Sequence, residues 1–403
     1  MFYILQSILY NKGTFMAKIY ELIVVGGGLI GLSTAYNATS FFGGHTALNG
    51  KDVLVLEQSS FFNQLSSSSE ASRQFRFQYD DDFMTQMVID STPEWERLQK
   101  QTVTELISYV GSLWFGDPTI PTTEGGINST INTMKRMGIP YQYLTAKEIE
   151  AWYQFKNIPD NYIGFFQANG GIINLPATLR TLYNVSHNNG VHFKEYNLVT
   201  KIESDGCNEV IVTTNKEIYH GKKIVMAVGP YTNKLISPLG TILNLEIWDM
   251  VSAYFRKKNP KINYPTWFAF QKPNAKNSNL YYGFPEAPWK NPGYIKVAPD
   301  YPFKIYDSPE QRTPPTKSDF EGTNQWVKNH MEYLDPEPKF TSTCMLAMPK
   351  DDKPFYLDSL PGHSNIVVYT SGWGAKFTPL LGKICAQLAI NGHTFYDVTP
   401  FKI

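Results

Sequence analysis

The chain has 403 residues, of which 42% are hydrophobic and 18% are charged, and its 36 basic residues are balanced by 36 acidic ones. Because this balance leaves no excess positive charge, it argues against nucleic acid as a partner. A chain of this length exceeds the size at which one core usually keeps growing, so we expect two domains.

The first 18 residues contain a short apolar run that has neither a preceding basic segment nor a small-residue cleavage site. Such a run is too short to span a bilayer and lacks the form of a secretory signal. We therefore expect residues 1–18 to be a disordered extension and the protein to have no membrane partner. The C-terminal Phe-Lys-Ile differs from the Ser-Lys-Leu peroxisomal address, so we expect a cytoplasmic location, with a divergent peroxisomal address as the alternative.

A strand, a helix and a second strand are predicted next. Residues 20–25 form an apolar, β-rich run, GGGLIG and a helical pattern follow, and a second apolar run ends at Glu57. Gly26, Gly28 and Gly31 form a GxGxxG motif, which lets the backbone approach a pyrophosphate at the helix N-terminus. Glu57 is placed to accept hydrogen bonds from a ribose, and an acid here disfavours a 2′-phosphate. The unit predicts FAD or NAD binding; the alternative is a glycine-rich structural turn.

Two patterns alternate along the rest of the chain. Residues 193–229 contain short strands separated by turns, whereas two long segments rich in Pro, Trp and Tyr lack a strand–helix–strand rhythm. We predict an α/β plus α+β protein in which a Rossmann-like dinucleotide-binding domain is interleaved with an antiparallel-sheet substrate domain. The predicted boundaries are 19–80, 171–235 and 336–403 for the first domain, and 81–170 and 236–335 for the second.

The cysteines and histidines show no metal or disulfide pattern. Cys207, Cys344 and Cys385 are scattered without CxxC spacing, and the seven histidines are dispersed. We expect a reducing compartment, no disulfide framework and no metal site.

Eight sequence blocks are distributed from about residue 20 to the C-terminus. They are VVGGGLIGLSTA at 24–35, ASRQFRFQY at 71–79, GSLWFGD at 111–117, GPYTN at 229–233, WFAFQ at 267–271, YYGF at 281–284, TSTC at 341–344 and KFTPLLGKICAQLA at 376–389. Together they resemble the monomeric sarcosine oxidase branch of the D-amino-acid-oxidase-like flavoproteins, and within it the piperideine-2-carboxylate oxidase type. The resemblance implies FAD on a fold of the glutathione reductase and D-amino-acid oxidase type.

The resemblance also implies a covalent cofactor. In those relatives a cysteine at the position of Cys344 forms a thioether with the flavin 8α-methyl group. The alternative is a buried thiol that acts as a small hydrophobe. Cys207 and Cys385 lack the TSTC context, and Cys385 lies on the apolar face of the last predicted helix, where we expect it in the core.

Two basic residues match the substrate-carboxylate ligands of the relatives. These are Arg76, whose planar guanidinium suits a carboxylate, and Lys376, whose charge also suits an anionic reduced flavin. The alternative for Arg76 is an arginine on a solvated strand. Trp373 corresponds to a tryptophan near the isoalloxazine, where sarcosine oxidases have a histidine, and so favours the piperideine-carboxylate type.

Two acids, a further lysine and a tyrosine complete the catalytic residues that the resemblance implies. Glu124 and Asp300 match active-site carboxylates that take or relay protons, although a solvated turn is the alternative for each. Lys296 aligns with the lysine that activates oxygen, and Tyr282 is expected to form a wall of the substrate cavity. Further expected cofactor contacts are Ser66, Ser67, Arg73, Gly229, Gly372, Gly374 and Lys376.

The sequence thus predicts a monomeric FAD-dependent amine or amino-acid oxidase. It would oxidise a secondary or cyclic amino or imino acid, pipecolate-like in size, at its C–N bond, with O2 as acceptor and H2O2 as product. The alternatives are a sarcosine or N-methyl-amino-acid oxidase, a dehydrogenase with another acceptor, and an inactive flavin-bearing binding protein.

Overall fold

The computed structural model describes residues 18–41, 46–273, 280–351, 353–370 and 372–403, so most of the predicted N-terminal extension lies outside the described residues. Within these ranges the α-helices are α1 (Leu29–Ala38), α2 (Asp82–Gln99), α3 (Ile127–Arg136), α4 (Ala146–Tyr153), α5 (Leu175–Asn188), α6 (Thr232–Ile236), α7 (Glu321–His330) and α8 (Thr378–Asn391). The strands are β1 (Ile19–Val25), β2 (Val53–Leu56), β3 (Ser72–Phe75), β4 (Ile107–Ser108), β5 (Ser112–Gly116), β6 (Gln142–Thr145), β7 (Ile163–Gln167), β8 (Gly171–Asn174), β9 (His192–Lys194), β10 (Val199–Ser204), β11 (Val210–Thr214), β12 (Ile218–Met226), β13 (Leu245–Arg256), β14 (Thr266–Phe270), β15 (Leu280–Phe284), β16 (Tyr294–Pro299), β17 (Lys304–Tyr306), β18 (Phe340–Pro349), β19 (Tyr356–Leu360) and β20 (His363–Thr370).

The first sheet has a parallel centre. Its order is β10-β11-β12-β1-β2-β9, and β20 pairs with both β12 and β19. Val25 of β1 lies opposite Leu56 of β2 and Met226 of β12, so the carboxyl ends of these strands form one edge. The central strands are buried on both faces, which explains their continuous Val, Ile and Leu runs. Ligands of such sheets bind at the carboxyl edge, which places the expected nucleotide site there.

Helices α1 and α8 pack side by side on this sheet. Every residue of α1 is buried, and α8 is buried over most of its length, including Cys385. The prediction that Cys385 lies in the core is confirmed. Glycine 382 of α8 permits the close approach, because a Cβ there would lie 2.1 Å from the Ser33 hydroxyl of α1.

The second sheet is largely antiparallel, with the order β17-β13-β16-β15-β14-β5-β7-β6 and with β18 paired to β13. Behind it Trp267 and Trp326 stack with ring centroids 4.7 Å apart, and they belong to an aromatic core. The sequence boundary at 336 assigned β18 to the first domain. The structure instead places β18 in the second sheet, because its ten residues pair with Leu245–Tyr254 of β13.

A three-stranded sheet in the order β3-β8-β4 is separate from the two large sheets. Strand β3 contains Arg73, and Arg76 follows its last residue directly. The Arg76 guanidinium contacts the ring of Trp114, which belongs to β5 of the second sheet. Within the described ranges, none of the helices combines the length and apolarity required to cross a bilayer.

Candidate active site

A cavity of about 470 Å³ opens at the carboxyl edge of the parallel strands. Its volume is in the range of cofactor and ligand sites. Six of the predicted cofactor residues line it, and they are Gly26, Gly28, Glu57, Ser66, Ser67 and Gly229.

The turn between β1 and α1 requires its glycines. Gly26 has φ +106°, and a Cβ there would lie 2.4 Å from the Ala227 carbonyl oxygen. A Cβ on Gly31 would lie 1.8 Å from the Gly26 carbonyl oxygen, so Gly31 does not line the cavity but lets α1 start directly at the turn. Gly28 is the N-cap of α1 and makes no side-chain cap. The Leu29 N–H donates to the Ser68 hydroxyl at 3.0 Å, and the N–H groups that follow it are directed to the cavity, as a pyrophosphate site requires.

Glu57 is fixed at the end of β2. Its two carboxylate oxygens accept hydrogen bonds from the backbone N–H groups of Gly27 at 2.8 Å and Ser59 at 2.9 Å. These contacts hold the acid where a ribose would meet it, while its charge repels a 2′-phosphate. The helix N-terminus, the close turn and this acid fit the adenosine and pyrophosphate part of FAD.

A second cavity, of about 70 Å³, lies beside β18. It brings together residues that are far apart in the sequence and that come from β3, a loop before α3, β15, β16, β18 and the turn before α8. All seven predicted catalytic residues line it, of which Lys376 is also a predicted cofactor residue, together with two further predicted cofactor residues: Arg73, Arg76, Glu124, Tyr282, Lys296, Asp300, Cys344, Trp373 and Lys376.

The remaining two predicted cofactor residues, Gly372 and Gly374, line neither cavity. A Cβ on Gly372 would lie 2.5 Å from the Leu346 side chain, and one on Gly374 would lie 1.9 Å from the Tyr369 hydroxyl. Close packing around the Trp373 turn therefore accounts for both glycines.

Strand β18 runs between the two cavities. Successive side chains of a strand point to opposite faces. Accordingly Met345 lines the larger cavity, whereas Cys344 and Leu346 line the smaller one. Burial raises the pKa of the Cys344 thiol, while the nearby Arg73 guanidinium lowers it.

Arg76 is held rigidly, with 1% of its surface exposed. It forms an ion pair with Glu124 and donates a hydrogen bond to the Gln78 carbonyl. Its guanidinium carbon lies 4.2 Å from the ring centroid of Tyr79 and 5.1 Å from that of Trp114. Aromatic faces attract such a cation, so the fork is fixed before any substrate arrives.

Lys376 lies in the short 3₁₀ turn before α8 and is 7% exposed. Its carbonyl accepts a hydrogen bond from the Trp95 indole at 2.7 Å, which fixes the backbone of the turn. The ammonium nitrogen lies 5.1 Å from the Tyr79 ring centroid, on which Arg76 also stacks. Burial and the charge of Arg76 lower the pKa of Lys376 to about 7.

Asp300 follows β16 directly and is 4% exposed. It accepts a hydrogen bond from the Thr123 hydroxyl, next to Glu124 in the sequence. Burial and the neighbouring Glu124 carboxylate raise the pKa of Asp300 well above its ordinary value. A carboxyl group that holds its proton near neutral pH, next to a second carboxylate in an ion pair, is suited to proton transfer.

The family model for FAD dependent oxidoreductases (DAO) matches residues 21–388. The chain belongs to this family. The family match confirms the predicted FAD-dependent oxidoreductase, the fold class and the FAD dependence.

Individual relatives agree with the family match. Human peroxisomal sarcosine oxidase is 30% identical to this flavoprotein over 396 residues, which cover 96% of each chain. A longer protein of Dictyostelium discoideum is 34% identical over 411 residues, which cover 96% of this chain but only 37% of that protein. The solved structure of NikD, an amino acid oxidase essential for nikkomycin biosynthesis, is 35% identical and has a TM-score of 0.88, covering 96% of this chain and 97% of that chain.

Sequence reasoning missed one acid at the site of this DAO family member. The Glu70 carboxylate accepts hydrogen bonds from Lys296 at 2.7 Å and from Arg73 and Ser342. Burial alone would raise its pKa, yet Arg73 and Lys296 hold the pKa of Glu70 at about 2. The only local signal was an acid at the end of a Ser-rich loop, which is typical of a solvated turn.

Proposed function

We propose that this flavoprotein oxidises a secondary or cyclic amino acid, or its imine, and passes the electrons to O2. The observation that carries the proposal is the convergence of Arg76, Lys376, Glu124 and Asp300 on one cavity that Cys344 also lines. The 35% identity to NikD, an amino acid oxidase, supports the same substrate class.

The charges of this cavity suit a monoanionic carboxylate. With Lys376 protonated and Asp300 neutral, the group formed by Arg76, Lys376 and Glu124 carries a net charge of +1, whereas Arg73 and Lys296, which also line the cavity, are paired with Glu70. A substrate carboxylate neutralises that charge and receives charge-assisted hydrogen bonds from Arg76 and Lys376. The ring of the substrate then lies among Phe268, Tyr282 and Trp373, which exclude water.

FAD, held by the cavity at Gly26, Gly28 and Glu57 and by Cys344, would supply the acceptor for the hydride equivalent from the carbon next to the substrate nitrogen, and would pass the two electrons on to O2. The substrate loses two electrons and two protons as its C–N bond becomes a C=N bond, and O2 gains both to give H2O2. In this proposal Glu124 accepts the proton that the substrate nitrogen loses, whereas Asp300 stays protonated and so adds no negative charge beside the substrate carboxylate. These separate roles follow from their different surroundings.

Cys344 is the proposed covalent anchor of FAD, through a thioether. The support is that its thiol lines the catalytic cavity, whereas Cys385 is buried in α8 and Cys207 is exposed.

Substrate binding is expected to weaken as the pH rises. Above about pH 7 Lys376 loses its proton in the free protein, so binding a carboxylate must take up one proton. Ionisation of Asp300 acts in the same direction, because it adds a negative charge. The Kd of cyclohexanecarboxylate, followed by the flavin absorbance, should be flat below pH 7, rise about tenfold per pH unit between pH 7 and about pH 8, and rise more steeply above about pH 8, where Asp300 also ionises. The variant Lys376→Met should bind weakly with most of this slope removed, and an unchanged slope would contradict the assignment.

The proposed activity is tested with a substrate panel under anaerobic conditions. The panel contains sarcosine, N-methyltryptophan, proline, pipecolate and piperideine-2-carboxylate, with cyclohexanecarboxylate as a control that has no nitrogen. We expect the six-membered nitrogen rings to bleach the flavin fastest, and admission of air to restore the colour with one H2O2 per bleached flavin. Bleaching without oxygen uptake would make the protein a dehydrogenase, and bleaching by no member would refute the proposal.

A further inference from the structure

We propose that Glu70 is the positioning residue that keeps Lys296 as an ammonium group beside the catalytic cavity, and thereby sets how fast the reduced enzyme reacts with O2. The inference rests on the proposed function and on the expectation from the family resemblance that Lys296 is the lysine that activates O2. It assigns a role to Glu70, which the mechanism above does not use.

The contacts of Glu70 form a buried triad of charges. The side chains of Glu70 and Lys296 are 2% and 5% exposed, and Lys296 donates a hydrogen bond to Glu70 Oε2 at 2.7 Å. Arg73 pairs with the same oxygen, and Ser342 donates to Oε1. One carboxylate therefore serves two cations, and its three side-chain hydrogen bonds come from residues of β16, β3 and β18.

The other groups around Lys296 cannot replace this carboxylate. Its ammonium nitrogen lies 4.9 Å from the Phe284 ring centroid and 6.0 Å from that of Tyr282. The remaining titratable groups that act on Lys296 or on Glu70 are Arg73 on β3, Cys344 on β18, Tyr254 on β13 and Lys290 in the loop before β16. Within the described ranges, Glu70 is the one carboxylate that hydrogen-bonds to Lys296.

The backbone of Glu70 is itself unusual. Its φ is +83°, a region that glycine adopts readily and that side-chain-bearing residues adopt at a cost. Strain of this kind persists where the surroundings hold the residue in place, and it is concentrated at functional sites. A glycine would adopt this backbone conformation at no cost. The ion pairs with Arg73 and Lys296 offset the cost for Glu70 and hold its carboxylate at this position.

The charge of Lys296 matters because O2 accepts negative charge before it is protonated. Each O2 gains two electrons and two protons to become H2O2, and a fixed ammonium group stabilises the charge that develops on the oxygen. Burial and Arg73 both lower the pKa of Lys296, whereas Glu70 raises it. Without Glu70, the lysine would become a neutral amine at a lower pH.

The test compares Glu70→Gln, Lys296→Met and the double variant with wild type. The flavin of each holoenzyme is photoreduced without substrate and mixed with O2 from about pH 6 to pH 9, the range in which a depressed lysine titrates. The wild-type profile is the reference, and it includes any change caused by Lys376, whose pKa is about 7. Relative to wild type, Glu70→Gln should slow with rising pH by up to about 10²-fold, whereas Lys296→Met and the double variant should be slow throughout, with no such additional fall. A Glu70→Gln rate equal to the wild-type rate at every pH overturns the proposal.

A second readout needs no reaction at all. Removing the Glu70 charge leaves two buried cations facing each other, so Glu70→Gln should lower the Tm of the holoenzyme, and adding Lys296→Met should recover part of the loss. Strictly additive Tm changes overturn the coupling. The control is Glu203→Gln, which removes the exposed pair with Lys201 and should change neither readout. Because both readouts are independent of substrate, a failed substrate panel refutes the proposed function without deciding this inference.

Discussion

Replacement of Arg76 by methionine should weaken binding of the substrate carboxylate by about 2–5 kcal/mol, which is roughly 30- to 4,000-fold in Kd. The guanidinium is almost fully buried, stacked on Tyr79 and Trp114 and paired with Glu124, so it is oriented before binding. Without the Arg76 guanidinium, the buried substrate carboxylate loses both the opposite charge and the hydrogen bonds that stabilise it. The measurement is the Kd of cyclohexanecarboxylate from the flavin absorbance, together with kcat/KM for the best substrate of the panel.

The partner acid supplies the control for this variant. Arg76→Met leaves Glu124 without its ion-pair partner, and the unpaired carboxylate would itself repel a substrate anion. Glu124→Gln in the same background removes that repulsion. If the double variant binds as tightly as wild type, Arg76 merely neutralises Glu124, and the carboxylate-clamp role is wrong. The Kd of Arg76→Lys should lie between those of wild type and Arg76→Met, since lysine keeps the positive charge but lacks the planar guanidinium.

The second large effect is expected at Cys344. Acid precipitation of wild type should leave the yellow colour in the pellet, whereas Cys344→Ser should release it to the supernatant. The reason is that a thioether survives denaturation and a noncovalent contact does not. Colour released from wild type would exclude the tether.

Two further variants separate the tether from packing. Cys344 packs with Met250 and Leu346, so a serine hydroxyl placed there costs about 1–3 kcal/mol in addition to any lost bond. Cys344→Ala removes the thiol without adding a polar group and should release the colour equally. Cys207→Ser, at an exposed cysteine, should keep the colour in the pellet.

The nucleotide site could be predicted from local sequence, because its parts are close along the chain. The turn at Gly26 to Gly31 and the acid at Glu57 belong to one β1–α1–β2 unit, and each glycine has a steric reason that elementary geometry supplies. By contrast, the meeting of Arg76, Asp300 and Lys376 depends on long-range packing. Those residues were found through a family resemblance, since no spacing in the sequence brings them together.

Neither the local sequence nor the family resemblance predicted the role of Glu70 or the sheet to which β18 belongs. Glu70 stands in a Ser-rich loop, and an isolated acid there gives no sign of burial or of two cationic partners. The sheet to which β18 belongs could not be predicted either, because the sequence of an apolar strand does not identify the strand with which it pairs. Pairing partners are selected by the whole fold, in this case by the ten-residue match with β13.

The ladder between β13 and β18 also makes the site sensitive to register. A shift of β18 by one residue would turn every side chain to the opposite face. Met345 would then enter the catalytic cavity, and the Cys344 thiol would turn toward the nucleotide cavity. Insertions or deletions within Phe340–Pro349 should therefore be far less tolerated than equal changes in loops, even when they leave the core apolar. The register of the ten residue pairs between β13 and β18 therefore determines whether the Cys344 thiol or the Met345 side chain lines the smaller cavity.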